Sequence, residues 1–137
     1  MIRPHGSDFL IPLMVENPQH HAALQAEALD LTRLIINSAA AANTVMLGAG
    51  YFTPLKGFMN KADALSVATD MHTADGLFWP VPVMNLTENG DRITAGSRIA
   101  LCDPNVPGNP VIAIQEVAAV EKLSTEEVNL IVQQVYG

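Results

Sequence analysis

The most distinctive stretch of this chain is residues 48–59, which read GAGYFTPLKGFM. Three glycines, one proline and three aromatic residues fall within it. Apolar loop residues usually pack, so we expect Phe52, Leu55, Phe58 and Met59 to fill the core around glycines that adopt positive φ or allow close approach. The alternative is a surface that docks another domain. Phosphate binding is not indicated, because neither a G-x-G-x-x-G pattern nor the lysine of a P-loop is present.

Helix signals flank this stretch on both sides. After it, Asn60 with Asp63 three residues later predicts a capped helix that ends near His72. Before it, Ser38 is expected to cap a short alanine-rich helix that runs to about residue 47. Gly48 would end that helix in the left-handed conformation.

Two more helices are predicted, one toward each end of the chain. Asn17-Pro18 is a helix start, since asparagine caps free N–H groups and proline suits the first helical position. One face of that helix would then carry Leu24, Ala28 and Leu31. Near the other end, a capping box and an i, i+3, i+4, i+7 apolar stripe predict a helix to about Tyr136, with Gly137 at its end. The box is Ser124 with Glu127, and the stripe is Val128, Ile131, Val132 and Val135.

Strand signals lie between residues 77 and 117. Segments 98–103 and 111–117 are apolar enough to pair, and the turn-rich segment 104–110 between them predicts a β-hairpin. Residues 77–86 are strand-like but contain Pro80 and Pro82, which predicts an edge or bulged strand. Since helices and strands do not alternate regularly, the sequence predicts an α+β fold with N-terminal helices, a small bent sheet and a C-terminal helix.

The composition describes one folded, acidic domain. The chain has 137 residues, 49% of them hydrophobic, and 14 acidic against 7 basic side chains give a net charge of -7. The basic residues are scattered, so nucleic acid would be repelled. We find no leader and no apolar run of about 18 residues, and we therefore expect a cytoplasmic chain without membrane contact.

Residues with reactive or metal-binding side chains are few. Cys102 lies in an apolar run without a second cysteine, which indicates a buried, inert thiol and excludes a cysteine-based zinc site. The adjacent His20 and His21 lack the i, i+4 spacing that directs two imidazoles at one metal. His72 is expected to complement a helix C-terminus, and Asp75 to stabilise a turn. The residues alone therefore predict no catalytic, cofactor-binding or metal site.

Residues 50–59 resemble the G-x-F-x-P-L-x-G-F-M signature of ATP sulfurylases (sulfate adenylyltransferases). The resemblance continues at Pro4-His5-Gly6, at residues 99–104, where Cys102 replaces the usual arginine, and at Val135-Tyr136-Gly137. The chain resembles in particular the homo-oligomeric ATP sulfurylases of sulfur-oxidising bacteria. The matching signature positions are Gly50, Phe52, Pro54, Leu55, Gly57, Phe58 and Met59, followed by Asp75, Gly76, Trp79 and Pro80.

This resemblance implies a PUA-like pseudobarrel that spans residues 1–137 as one N-terminal domain, with the catalytic domain expected after Gly137. It implies a reaction in which sulfate attacks the α-phosphorus of MgATP to give adenylyl sulfate and pyrophosphate, or the reverse in sulfur oxidation. The family's Q-x-R-N motif is absent from these 137 residues. The signature positions are therefore expected to have a structural or interdomain role, with MgATP a substrate of the full homo-oligomeric enzyme only. The alternative is a free-standing PUA-like binding or regulatory module.

Overall fold

The computed structural model describes residues 2–137, which contain four α-helices and three β-strands. This small mixed architecture confirms the predicted α+β class. The elements, in chain order, are α1 (Pro18–Ala28), β1 (Thr32–Ile35), α2 (Ser38–Gly48), α3 (Lys61–Asp70), β2 (Arg98–Cys102), β3 (Val111–Glu116) and α4 (Thr125–Tyr136). A single 3₁₀ turn, Gly90–Arg92, precedes β2.

Side-chain caps begin the helices largely where the sequence predicted them. The Asn17 side chain accepts a hydrogen bond from the His20 N–H at the start of α1, and Asn60 caps α3 in the same way. At α4 both halves of the predicted capping box are formed, between Ser124 and Glu127. These short-range bonds satisfy N–H groups that a helix start leaves free, so local sequence suffices to predict them.

Three predicted helix details are wrong. Asn37, not Ser38, caps α2, because its side-chain oxygen reaches the Ala40 N–H at 2.8 Å while Ser38 is already helical. Gly48 stays within the helix, and the left-handed glycine is Gly50, with φ of 80°. Leu31 lies beyond α1, which ends at Ala28.

The three strands form a mixed sheet in the order β1-β2-β3. The predicted hairpin is confirmed: β2 and β3 pair antiparallel, with Ala100 opposite Ile114 and a register shift between Leu101 and Cys102. β1, which the sequence did not predict, pairs parallel to β2 with Leu34 opposite Leu101. A strand of four residues is too short to show a periodic apolar pattern, and only Leu34 among the four is buried.

The strand predicted over residues 77–86 is wrong. That segment is irregular and contributes one isolated bridge, between His72 and Phe78. Pro80 and Pro82 lack the N–H groups that a ladder of hydrogen bonds needs, so the apolar pattern alone could not make a strand. The segment is instead held by single backbone bonds, such as Trp79 N–H to Met71 O at 2.8 Å.

The chain builds two compact units and passes between them three times. The first comprises the described residues up to Lys56 together with Asn85–Val120, and holds α1, α2 and the sheet. Its core centres on β2, where Ala100 and Cys102 are fully buried and Leu101 nearly so. The buried state predicted for the Cys102 thiol is therefore confirmed.

The second unit comprises Gly57–Met84 and Glu121–Gly137, and pairs α3 with α4. Val67 and Ile131 are among its buried side chains. At the start of α3 the Lys61 N–H donates to the Glu121 carboxylate at 2.8 Å, and the Lys61 ammonium pairs with Glu127 at 2.8 Å. These bonds join α3 to α4, since Glu121 and Glu127 lie before and within α4.

Candidate functional site

The signature stretch begins with a close backbone contact at Gly50. This residue has φ of 80°, and its backbone lies against the segment that precedes α1. A Cβ at Gly50 would lie 3.1 Å from the Pro12 nitrogen and 3.2 Å from the Pro12 Cα. Both the left-handed backbone and the short distances require glycine here. The first glycine of the signature therefore has the conformational role that the sequence predicted for its glycines.

Thr53 is the buried centre of this part of the signature, with 5% of its surface exposed. Its hydroxyl accepts a hydrogen bond from the Ile11 N–H at 2.9 Å and donates one to the Gly50 carbonyl at 2.7 Å. The Thr53–Pro54 peptide is cis. One hydroxyl therefore links the segment before α1 to the signature stretch. Sequence reasoning missed this role, since nothing near Thr53 indicates a partner 42 positions away.

The large apolar residues of the signature are only half-buried. Phe52, Leu55, Phe58 and Met59 were expected to fill the core, and each keeps intermediate exposure. The expected core filling is therefore only partial, and Thr53 is the buried side chain among residues 50–59. Met59 is fixed mainly through its backbone, whose N–H donates to the Val83 carbonyl at 2.7 Å.

Gly57 does not have the constrained environment predicted for it. Its φ lies outside the left-handed region, and a Cβ there would meet no atom within 4 Å. A side chain at Gly57 therefore meets neither backbone strain nor a packed neighbour. Replacing it with valine is therefore not expected to cost the about 1–3 kcal/mol that is typical of a strained or packed position.

The later signature positions form a turn in the second unit. Gly76 has φ of 93°, and its N–H donates to the Thr73 carbonyl at 2.9 Å. The buried Thr73 hydroxyl donates to the Asp75 carboxylate, which confirms the predicted turn role of Asp75. Trp79 is 9% exposed, whereas Pro80 is exposed. The structure thus gives Asp75, Gly76 and Trp79 local structural contacts.

His72 follows α3, as the sequence predicted. Its Nδ1 lies 2.7 Å from the Asp70 carbonyl oxygen at the helix end, and its ring meets Phe78 edge-on with centroids 5.6 Å apart. The Asp70 carboxylate lies 3.6 Å from the same nitrogen. These contacts fit the predicted interaction with the helix C-terminus and include no nucleophile for a catalytic pair.

Several of the charged side chains form ion pairs. Arg98 lies 2.7 Å from Glu27, and Arg3 lies 2.8 Å from Asp8. The pKa of Glu127 is lowered, first by the hydrogen bond from Lys61 and then by the Ser124 N–H. The contacts of Arg98, Arg3 and Lys61 tie these cations to carboxylates rather than directing them at a common point.

Among residues 2–137, no group of three or more His, Cys, Asp and Glu side chains is placed to hold a metal ion. Within the same residues, no helix is both long and apolar enough to cross a bilayer. Among the signature residues, Gly50 and Gly76 supply backbone geometry, Trp79 is buried, and the Asp75 carboxylate accepts a hydrogen bond within its turn.

Comparisons with known proteins agree with the resemblance in the signature. The chain is 52% identical over 137 residues to a sulfate adenylyltransferase of Alcanivorax borkumensis, covering 100% of this chain and 34% of that relative. It is 54% identical over the same length to a sulfate adenylyltransferase of Allochromatium vinosum, again covering 34% of the relative. A third, from the Riftia pachyptila sulfur-oxidizing endosymbiont, is 45% identical over 136 residues, 99% of this chain and 31% of that relative.

The chain thus spans about a third of the length of these curated relatives. Among solved structures, the hexameric APS kinase from Thiobacillus denitrificans matches with a TM-score of 0.68 and 30% identity, covering 85% of this chain and 23% of that one. The family profile of the PUA-like domain matches residues 2–137. Its match over nearly the full sequence shows that the chain belongs to the PUA-like domain family.

Proposed function

We propose that this chain is the amino-terminal, non-catalytic scaffold domain of a bacterial sulfate adenylyltransferase. The observation that carries the proposal is the identity of 52% and 54%, over all 137 residues, to two proteins of that name. The complete enzyme would join ATP and sulfate into adenylyl sulfate and pyrophosphate, or run in reverse, with MgATP bound outside this domain.

The residues described above support a scaffold role better than a catalytic one. In-line transfer at phosphorus needs donors or cations aimed at the charge that develops in the transition state. Arg3, Lys61 and Arg98 are each paired with a carboxylate. The signature instead fixes backbone, through Gly50 and the Thr53 hydroxyl.

The proposal also covers the organisation of the complete protein. Residues 1–137 would act as one PUA-like domain, joined to a catalytic region in the same polypeptide, and the complete enzyme would be a cytoplasmic homo-oligomer. A solved relative of this chain is described as hexameric. Nucleic acid would not be a partner, because a chain of net charge -7 without a basic patch repels phosphate.

The decisive experiment compares this chain with a chimera in which it replaces the matching third of the Allochromatium vinosum protein. Pyrophosphate release from ATP and sulfate, and ATP formation from adenylyl sulfate and pyrophosphate, are measured for both, with the natural Allochromatium protein as the positive control. We expect activity in the chimera alone. Turnover by the isolated chain near the chimera's rate, or an inactive chimera beside an active natural protein, would refute the proposal.

A further inference from the structure

Five large apolar side chains on two neighbouring stretches of the first unit are exposed. The two stretches are the segment before α1, and the end of α2 with the start of the signature. The five side chains, here called the apolar face, are between 61% and 73% exposed: Phe9, Leu10, Met14, Val45 and Tyr51. Neither residues 9–15 nor residues 34–55 contain an Asp, Glu, Lys or Arg. The two stretches that carry the face are therefore uncharged, on a chain whose net charge is -7.

Backbone hydrogen bonds hold the two stretches side by side. The N–H groups of Leu13 and Met14 both donate to the Gly48 carbonyl at 3.0 Å, and the Ile11 N–H donates to the Thr53 hydroxyl at 2.9 Å. The Tyr51 N–H donates to the Met46 carbonyl at 3.0 Å, which joins Tyr51 to the last turns of α2. The apolar face is consequently an ordered surface and not a loose tail.

An ordered surface of this kind needs an occupant. Ordering the segment before α1 costs conformational entropy, and leaving its Phe9, Leu10 and Met14 side chains in water recovers no hydrophobic stabilisation. A contiguous exposed apolar patch on a folded protein marks an interaction site. Transient interfaces are usually about as polar as the rest of the surface, whereas an uncharged apolar patch is typical of a permanent contact.

We propose that the apolar face docks permanently onto the remaining part of the sulfate adenylyltransferase polypeptide, an inference that rests on the proposed function. About two thirds of each relative lies outside the part that matches this chain, so a permanent partner of adequate size exists within one polypeptide. A second copy of this chain is the weaker candidate, because it would bring a further charge of -7 to the contact. The partner surface is expected to be apolar and uncharged.

Methionine oxidation gives a direct test, since thioether oxidation follows exposure. Met14 belongs to the face, whereas Met71, 53% exposed after α3, serves as the internal reference. Both rates are measured by mass spectrometry after brief peroxide treatment of the isolated chain and of the chimera with the Allochromatium protein. We expect the Met14 rate, divided by the Met71 rate, to fall about fivefold or more in the chimera.

The two proposals fail separately in this experiment. A chimera that is active but has an unchanged Met14 ratio would overturn the docking proposal and leave the proposed function standing. An inactive chimera with protected Met14 would refute the proposed function and still support docking. If Met14 of the isolated chain becomes protected as its concentration rises, the occupant is a second copy, and the proposal is wrong.

A matched pair of variants adds a second readout. Val45→Lys places a charge in the face, and lysine near the end of α2 suits the helix dipole, so the isolated chain should keep its unfolding temperature. The control is Val106→Lys, the same change at a 44% exposed position in the hairpin loop. We expect only Val45→Lys to lower the chimera's unfolding temperature, by about 5 °C. Equal temperatures for the two variant chimeras would contradict docking at this face.

Discussion

Replacing Gly50 with alanine should destabilise the chain, whereas the same change at Gly57 in the same signature should not. At Gly50 the backbone has φ of 80°, where an L-residue costs about 1–2 kcal/mol. The added methyl would also lie 3.1 Å and 3.2 Å from backbone atoms of Pro12, which must move to admit it. That crowding contributes about 1 kcal/mol more.

Alanine also restricts the unfolded chain more than glycine does. This effect stabilises the folded state by about 0.4–1 kcal/mol and offsets part of the cost. The net expectation for Gly50→Ala is a loss of about 1–2.6 kcal/mol in the free energy of unfolding. For Gly57→Ala, where no atom lies within 4 Å of the new methyl and φ is not left-handed, only the unfolded-state effect remains. That variant should be unchanged or stabilised by up to about 1 kcal/mol.

Urea unfolding of the wild-type chain and both variants, followed by circular dichroism, measures these differences as shifts in midpoint at constant slope. In thermal unfolding, the Gly50 variant should melt about 3–9 °C lower. A Gly50→Ala loss no larger than that of Gly57→Ala would refute the close contact between Gly50 and Pro12. A loss at Gly57 of about 2 kcal/mol would instead show that this glycine is strained or closely packed.

The remaining predictions concern single side chains. Thr53→Val removes the hydroxyl that bonds Ile11 and Gly50 and should cost about 2–4 kcal/mol in urea unfolding, whereas Thr53→Ser should retain most stability; equal losses would contradict a hydrogen-bonding role. Because the folded-state pKa of Glu127 is lowered, its contribution to stability is present above the unfolded pKa and is lost as pH falls through the folded one. The gap in unfolding temperature between wild type and Glu127→Gln should therefore close in acid, and a gap independent of pH would contradict the pairing with Lys61. Cys102, fully buried, should react with Ellman's reagent only after unfolding, so labelling of the native chain would contradict its burial.

Local signals predicted local structure well in this chain. The capping box at Ser124 and Glu127 involves residues three positions apart, and both of its bonds are formed. The hairpin of β2 and β3 likewise needs only a turn-rich segment between two apolar runs. Interactions of this range are encoded in neighbouring residues, so reading a single sequence can find them.

Local sequence signals could not predict the contacts between distant segments. β1 is a strand because Leu34 meets Leu101 in a parallel pair, and nothing in its four residues shows that partner. Of the signature glycines, Gly50 is constrained because Pro12 lies against it, whereas Gly57 has no comparable neighbour. The sequence alone could assign both glycines to the signature but could not tell which one packs.

The signature's best-supported role follows from which of its atoms are engaged. Gly50 and Thr53 use backbone and hydroxyl groups to fix the segment before α1, while Tyr51, between them, keeps its ring exposed. A loop that served only its own core would bury its large rings. In this loop the Thr53 hydroxyl and the Gly50 carbonyl bond to their own chain, whereas the Tyr51 ring and the Lys56 side chain are exposed. A ring exposed on a backbone that is fixed in this way suits a rigid surface contact.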